Sequence, residues 1–324
     1  MRPNRTATRQ TRTWWCTVAP LVVAILASGC SVKTYAINMV GNALASGESV
    51  YETDDDLELV GAALPFGLKL TESLLAQSPN HPGLLLTACR GFVLYAYAYV
   101  DYPAHVAANE DLERARALRA RASRLYLRGY RYGIRAIERS YPGFGEALTA
   151  NPAAAVRMVR STRAGRDVPL LYWTAASLGL AISVSRGDAA LLVRLPEVRA
   201  LLDRAIELDE AWDAGALHEF EVTLAGSVPG ELDVESITRH FDRAVELSKG
   251  CSAGAYLAYA EAVSVPQQNA AEFRALIARA LAVDADADPH NRLVNLLAHR
   301  RALWLASRVD ELILDADGAA AEGK

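Results

Sequence analysis

The chain has 324 residues and a formal net charge of -4, so it can form one large domain or two smaller ones. The acidic balance argues against a nucleic-acid-binding protein, the mean hydropathy of +0.08 against a chain that crosses a membrane many times, and four cysteines against a disulfide-stapled fold. Hydrophobic types make up 52% of the residues and aromatic types only 7%, which favours an all-α fold of close-packed helices.

The first 29 residues have the composition of a bacterial signal peptide. Four arginines and no acidic residue precede an apolar run over 14–26, which is shorter than the ~20 residues of a membrane helix. Leu26-Ala27-Ser28-Gly29-Cys30 then resembles a lipobox, in which the chain is cut before a cysteine that becomes acylated. Cys30 is therefore the predicted lipidation site, and Ser31 after it favours the outer membrane. An ordinary signal peptide or an uncleaved anchor is the alternative.

The rest of the chain is expected to form one helical body. We assign residues 30–54 to a lipidated N-terminus and linker with a first helix, 55–316 to a single all-helical domain, and 317–324 to a disordered tail. The segment from Glu110 to Arg139 contains no proline and predicts one long helix. Ahead of it, aromatic residues at steps of three and four place one aromatic face on a helix over 83–102.

An internal repeat occupies the C-terminal half. Segments 204–209, 243–248 and 279–284 align without gaps, so that Ala205, Ala244 and Ala280 recur. Periods in the thirties are typical of stacked helical hairpins. Each segment has a predicted partner helix upstream, over 172–185, 211–224 and 254–263. We predict degenerate tetratricopeptide-like (TPR-like) repeats, which are antiparallel hairpins stacked as an α-solenoid.

Catalytic and metal motifs are incomplete. His218-Glu219 lacks the second histidine of a zinc-protease helix, because Val222 stands in its place. The acidic run that ends at Asp288 lacks the glycine of a calcium loop, because Pro289 follows it. No catalytic residue, metal ligand or cofactor is predicted, and we do not expect an enzyme.

The two cysteines of the folded body are Cys89 and Cys251. Both lie among small apolar residues, which favours free buried thiols over a disulfide.

Two sets of side chains are candidates for binding. Tyrosine and tryptophan carry a polar tip on an apolar body and suit a pocket wall, although ordinary helix packing is the favoured explanation of any single one. The candidate ligand-binding residues are Tyr95, Tyr99, Tyr126, Tyr130, Tyr172 and Trp173. The long helix also carries a stripe of arginines that is either a solvated face or a functional one. Its members are Arg121, Arg124, Arg128, Arg131 and Arg135.

Several longer segments, taken in order, resemble the TatT family, the T components associated with tripartite ATP-independent periplasmic (TRAP) transporters. They are 63–75, 171–176, 204–209, 215–219 and 288–295. The resemblance implies a periplasm-facing lipoprotein of TPR-like hairpins that forms a homo-oligomer, for example a trimer. It also implies docking of the solute-binding P component and binding or handover of an apolar ligand, carboxylated or not. The alternative is an envelope lipoprotein scaffold that assembles proteins without a small ligand.

Overall fold

The computed structural model describes residues 38–43, 51–227 and 232–314. The predicted signal peptide, Cys30 and the predicted tail over 317–324 lie outside these residues. Residues 38–43 are helical and fall in the segment where a first helix was expected.

Helices account for about four fifths of the described chain. In order they are α1 (Leu57–Gln77), α2 (Pro82–Ala96), α3 (Tyr102–Ala107), α4 (Leu112–Glu138), α5 (Phe144–Ala150), α6 (Pro152–Val156), α7 (Ala164–Val184), α8 (Ala189–Leu192), α9 (Leu195–Asp209), α10 (Ala216–Ser227), α11 (Val234–Leu247), α12 (Ala253–Tyr259), α13 (Ala270–Leu281), α14 (Arg292–Ala306) and α15 (Val309–Leu312). Two π-helical segments, Tyr97–Asp101 and Ala260–Ser264, follow α2 and α12. The described residues contain no strand, which confirms the all-α prediction.

Side-chain caps explain where several helices begin. Asp56 and Asp111 each accept a hydrogen bond from the backbone N–H three residues later, at 2.9 Å, and so start α1 and α4. Asn151 caps α6, whose first residue is Pro152, a residue that fits the first turn because no N–H is needed there. The single long helix predicted over 110–139 is confirmed as α4.

Two large apolar clusters form the core. The first packs α2, α4, α7 and α9 together, and the second packs α11 to α14. Glycines bring α4 close to its neighbours. A Cβ atom added to Gly133 would lie 2.2 Å from Thr174 Oγ1 and 3.1 Å from Cys89 Sγ, so a larger residue there would push α7 and α2 away.

The three repeat alanines occupy equivalent environments. Ala205, Ala244 and Ala280 are all buried, on α9, α11 and α13. The predicted partner helices correspond to α7, α10 and α12. The expected start of the second partner at residue 211 is wrong, because the backbone after Trp212 is left-handed and α10 begins only at Ala216. The stacking of these pairs as TPR-like units stays a prediction.

The cysteine prediction is correct in one respect and wrong in another. Cys89 and Cys251 are both free, and Cys89 is buried against Ser177. Cys251 is exposed, because Gly250 adopts a positive φ of 76° and turns the chain outward just before α12.

Three stretches are long and apolar enough to cross a membrane by composition, namely Leu57–Gln77, Pro82–Ala107 and Ser161–Val184. The second and third have half or more of their apolar window buried inside the protein, so core packing accounts for their hydropathy. The first, α1, is mostly unburied and leaves Phe66 74% exposed.

Candidate functional site

A left-handed run of backbone interrupts the repeat region between α9 and α10. Asp213 and Ala214 both have φ of 49°, and Gly215 has φ of 93°. Left-handed backbone costs a residue with a Cβ roughly 1–2 kcal/mol, and such strain is concentrated at functional sites. Gly215 also allows close packing, since a Cβ there would lie 3.0 Å from Leu247 Cβ. The run fixes the positions of Trp212 and Asp213.

Aromatic rings gather around Tyr172 on α7. The centroid of its ring lies 4.9 Å from that of Trp173, 4.9 Å from that of Trp212 and 6.0 Å from that of Phe220. These rings come from α7, α10 and the left-handed turn between α9 and α10. Tilted and edge-to-face pairs of this kind stabilise one another beyond simple area burial.

A charged group lies beside these rings. The guanidinium of Arg90, on α2, lies 5.8 Å from the centroid of the Trp173 ring and forms an ion pair with Glu52. Burial lowers the pKa of Arg90, and Asp213 counteracts this. Burial also raises the pKa of Asp213, while Arg90 lowers it. The two groups therefore interact electrostatically at the edge of the aromatic cluster.

Glu219 extends the polar surface along α10. Its carboxylate accepts a hydrogen bond of 2.6 Å from the Ser252 hydroxyl. Burial raises the pKa of Glu219, the Ser252 hydrogen bond lowers it, and Asp213 raises it further. Gly254 makes room for this carboxylate, because a Cβ there would lie 2.3 Å from Glu219 Oε1.

The two π-helical segments supply the far end of this surface. Tyr97 and Asp101 lie on the first segment and Glu261 on the second. Arg301, from α14, donates two hydrogen bonds to Glu261, at 3.0 and 2.7 Å, and interacts electrostatically with Tyr97 and Asp101 on the first segment. Burial raises the pKa of Tyr97, with Arg301 opposing the shift and Glu261 adding to it. Single π turns inside helices frequently mark functional sites.

Two of these side chains remain accessible although other residues surround them. Tyr97 keeps 36% of its surface exposed and Asp213 is also exposed, yet burial is the main cause that raises the pKa of each. Besides burial, the charges of Glu219 and Asp213 raise the pKa of Tyr172, and that of Asp213 raises the pKa of Glu219, so these side chains lie near one another. We call the set the interior site, and its members are Arg90, Tyr97, Tyr172, Trp173, Trp212, Asp213, Glu219, Glu261 and Arg301.

The six predicted ligand-binding residues lie at four places. Tyr172 and Trp173 belong to the interior site. Tyr95 and Tyr99 stack at 5.9 Å between centroids beside α1 and α14. Tyr126 is completely buried and donates a hydrogen bond of 3.0 Å to Asp101. Tyr130, one turn further along α4, donates to Glu197 at 3.0 Å. The structure thus brings two of the six into one site, and ligand binding by any of them stays a prediction.

Sequence reasoning missed most of the interior site. Arg90 is an isolated charge in an apolar segment, and an unpaired charge on an apolar helix is the signal that could have pointed to it. Asp213 and Glu219 lie among other charged residues and carry no such signal. Tyr97 falls between the three- and four-residue steps of the aromatic residues in its helix, so the aromatic pattern does not include it. No sequence pattern marks the π turns that orient Tyr97 and Glu261.

Fold and site together define a class. The protein is an all-helical protein whose aromatic and charged side chains cluster at the interior site. A family model for the TRAP transporter T-component matches residues 53–313. The chain therefore belongs to this family. Its members are accessory components of a membrane-associated transport system, and it is not a known enzyme family. It is also 31% identical over 310 residues, covering 90% of this chain and 95% of the other, to an uncharacterized protein of Treponema pallidum (strain Nichols).

Proposed function

We propose that this T component is a periplasm-facing lipoprotein, anchored through Cys30, that docks the solute-binding P component of a TRAP transporter. Its interior site binds an amphipathic ligand with an apolar body and a carboxylate, and hands it to or receives it from the P component. The family supports the transport role, and the chemistry of the interior site supports the ligand class. The observation that carries the ligand proposal is Arg90 beside the Trp173 ring.

The aromatic cluster suits the apolar body of such a ligand. Tyr172 and Trp173 are only partly buried, so part of each ring remains available for contact. Pockets for small molecules combine such apolar walls with a few polar groups that fix orientation. Arg90 is the polar group best matched to a carboxylate, because a guanidinium presents its donors in a planar fork that binds both oxygens.

In the structure, the carboxylate of Glu52 occupies the place beside Arg90 that a ligand carboxylate would take. Glu52 pairs with Arg90, and both side chains remain partly accessible, at 23% and 31%. The segment around Glu52 is fixed to the start of α14, since the Glu52 carbonyl accepts a hydrogen bond of 3.0 Å from Leu293 N–H. A ligand carboxylate would replace Glu52 at Arg90, and Glu52 would therefore lower the affinity for carboxylated ligands.

Binding of dansylaminoundecanoic acid, compared with the matching alcohol, tests this proposal. Arg90→Gln should weaken binding of the acid about tenfold or more, the effect of losing a charge-assisted hydrogen bond, and should change binding of the alcohol little. Glu52→Gln should strengthen binding of the acid. Arg157→Gln, which removes an exposed arginine elsewhere, is the control for net charge. Equal losses for acid and alcohol in Arg90→Gln would contradict the assignment.

The same measurements separate this proposal from the scaffold alternative. A scaffold would bind the P component in a pull-down assay but would take up neither the acid nor the alcohol. A handover protein should bind both the P component and the acid, and a saturating amount of acid should change its affinity for the P component.

A further inference from the structure

The arginine stripe of α4 lines a surface groove of about 600 Å³. Its principal residues are Arg121, Arg124, Arg128, Arg131, Tyr132 and Arg135. The groove is distinct from the interior site, which lies on other residues. Along α4 the five arginines span 14 residues, or ~21 Å at 1.5 Å per residue.

The positive charge of this groove is largely uncompensated. Among the described residues, only Arg128 of the five has an acidic partner, which is Glu72 on α1. Arg121 donates instead to the Tyr95 hydroxyl at 3.1 Å, and Arg135 to the Pro79 carbonyl at 2.7 Å. Most arginine stripes are neutralised by neighbouring acidic residues. In this one the contacts of Arg121 and Arg135 are to neutral groups, so most of the positive charge is available to a partner.

Aromatic rings hold the guanidinium groups in fixed positions. Arg121 lies 5.8 Å from the centroid of the Tyr95 ring, and Arg135 lies 5.6 Å from that of Tyr132. Cation–π contacts of this kind restrict the side chain without using its hydrogen-bond donors. Arg124 and Arg131 are exposed between them. The groove therefore presents a row of cations whose two ends are held in place by aromatic rings.

The groove lies near the point where the chain leaves toward its anchor. The Ser78 hydroxyl donates a hydrogen bond of 2.9 Å to the Asn38 side chain, and Pro79, the next residue, binds Arg135. Eight residues separate Asn38 from Cys30, which at most ~3.6 Å each span ~29 Å. A lipid on Cys30 would thus keep this face close to the membrane. Met39, on the helical stretch 38–43, is 64% exposed there.

We propose that the groove binds anionic phospholipid headgroups of the membrane in which the protein is anchored. The proposal rests on the lipid anchor of the proposed function but not on the interior site or the P component. Each arginine near an anionic surface contributes to binding and to the orientation of the protein. The row of arginines would hold one face of the protein against the membrane and leave the opposite face free.

Chemical labelling of arginines by phenylglyoxal tests the proposal on the full-length lipoprotein. The protein is reconstituted in vesicles of phosphatidylcholine alone or with 30% phosphatidylglycerol, and modification of each arginine is followed by peptide mass spectrometry. The anionic lipid should slow labelling of Arg121, Arg124 and Arg131 about fivefold, the shift that ~1 kcal/mol per arginine gives, and 0.5 M salt should reverse it. Arg157 and Arg239, which are exposed outside α4, serve as internal controls.

A matched pair of variants sharpens the result. Arg124→Gln with Arg131→Gln should reduce the protection of Arg121, whereas Arg157→Gln with Arg239→Gln should leave it unchanged. Equal labelling of the groove in both kinds of vesicle would overturn the proposal. Protection that appears only when the P component is added, in either lipid, would also overturn it and would assign the groove to an acidic protein surface. Both readouts are independent of ligand binding and so cannot be confused with a failure of the interior site.

Discussion

The rings of Tyr172 and Trp212 lie 4.9 Å apart between centroids, although they come from different repeats of the predicted stack. Trp212 reaches Tyr172 because the next residues, Asp213 and Ala214, have left-handed backbone. The same turn directs Asp213 toward Arg90. Local strain between α9 and α10 thus builds one wall of the interior site.

This strain can be measured by a pair of substitutions. Ala214→Gly should stabilise the protein by about 1 kcal/mol, because glycine adopts φ of 49° without the steric penalty of a Cβ. Gly215→Ala should destabilise it by about 1–3 kcal/mol, since the new Cβ would meet α11. Urea unfolding of both variants checks the pair. A stabilised Gly215→Ala variant would contradict this backbone.

The repeat makes a prediction about α13. Ala280 is completely buried, so Ala280→Leu should overpack the contact with neighbouring helices and cost about 1–3 kcal/mol. Ala278, on the same helix, is exposed, and Ala278→Leu should change stability little. Thermal unfolding followed by circular dichroism distinguishes the two. Equal effects would mean that α13 buries a different face.

The raised pKa of Glu221, on α10, predicts a loss of stability as the pH rises. Burial raises its pKa to about 7, with Asp203 adding to the shift and Arg199 opposing it. Between the unfolded value near 4.5 and about 7, the folded protein keeps a proton that the unfolded chain releases, so unfolding becomes easier. Glu221→Gln should therefore stabilise the protein at pH 8 by about 1–3 kcal/mol and have little effect at pH 4.

The control for this prediction is Glu110→Gln, at an exposed residue. It should leave the pH dependence of the melting temperature as in the unmodified protein. If Glu221→Gln gave the same gain at pH 4 and pH 8, the titration of Glu221 would not be its cause.

The histidine pair between α10 and α11 predicts the opposite pH dependence. His218 Nδ1 and His240 Nδ1 lie 2.9 Å apart, and burial lowers the pKa of both rings. As the pH falls through 6.5 the unfolded chain takes up protons first, so the folded state loses stability until its own lowered pKa is reached. His240→Gln should flatten the melting temperature between pH 7 and pH 5. An unchanged slope would exclude the pair as its source.

More of the fold than of the interior site could be predicted from the sequence. The long α4 could be predicted because a proline-free segment with a regular charged face has only one regular structure available. The buried positions of Ala205, Ala244 and Ala280 followed from their spacing. The helix N-caps at Asn151 and Asp288 could likewise be predicted, since a short polar side chain before proline is a local sequence signal.

The interior site could not be read in this way, because tertiary packing creates it. Arg90 and Asp213 are far apart in the chain and meet only through the left-handed turn before α10. The π turns that present Tyr97 and Glu261 shift the helical register by one residue, which no periodicity predicts. Tyr126 and Tyr130 share a helix face in sequence, yet one enters the core and the other binds Glu197 on α9.

The most direct test of the central claim is native mass spectrometry of the protein purified from its own host, with Arg90→Gln purified in parallel. We expect the unmodified protein to carry an amphipathic carboxylic acid that denaturation releases, and the variant to have lost most of it. A protein that carries no small molecule in either form, while still binding the P component, would contradict a ligand-binding interior site and favour the scaffold.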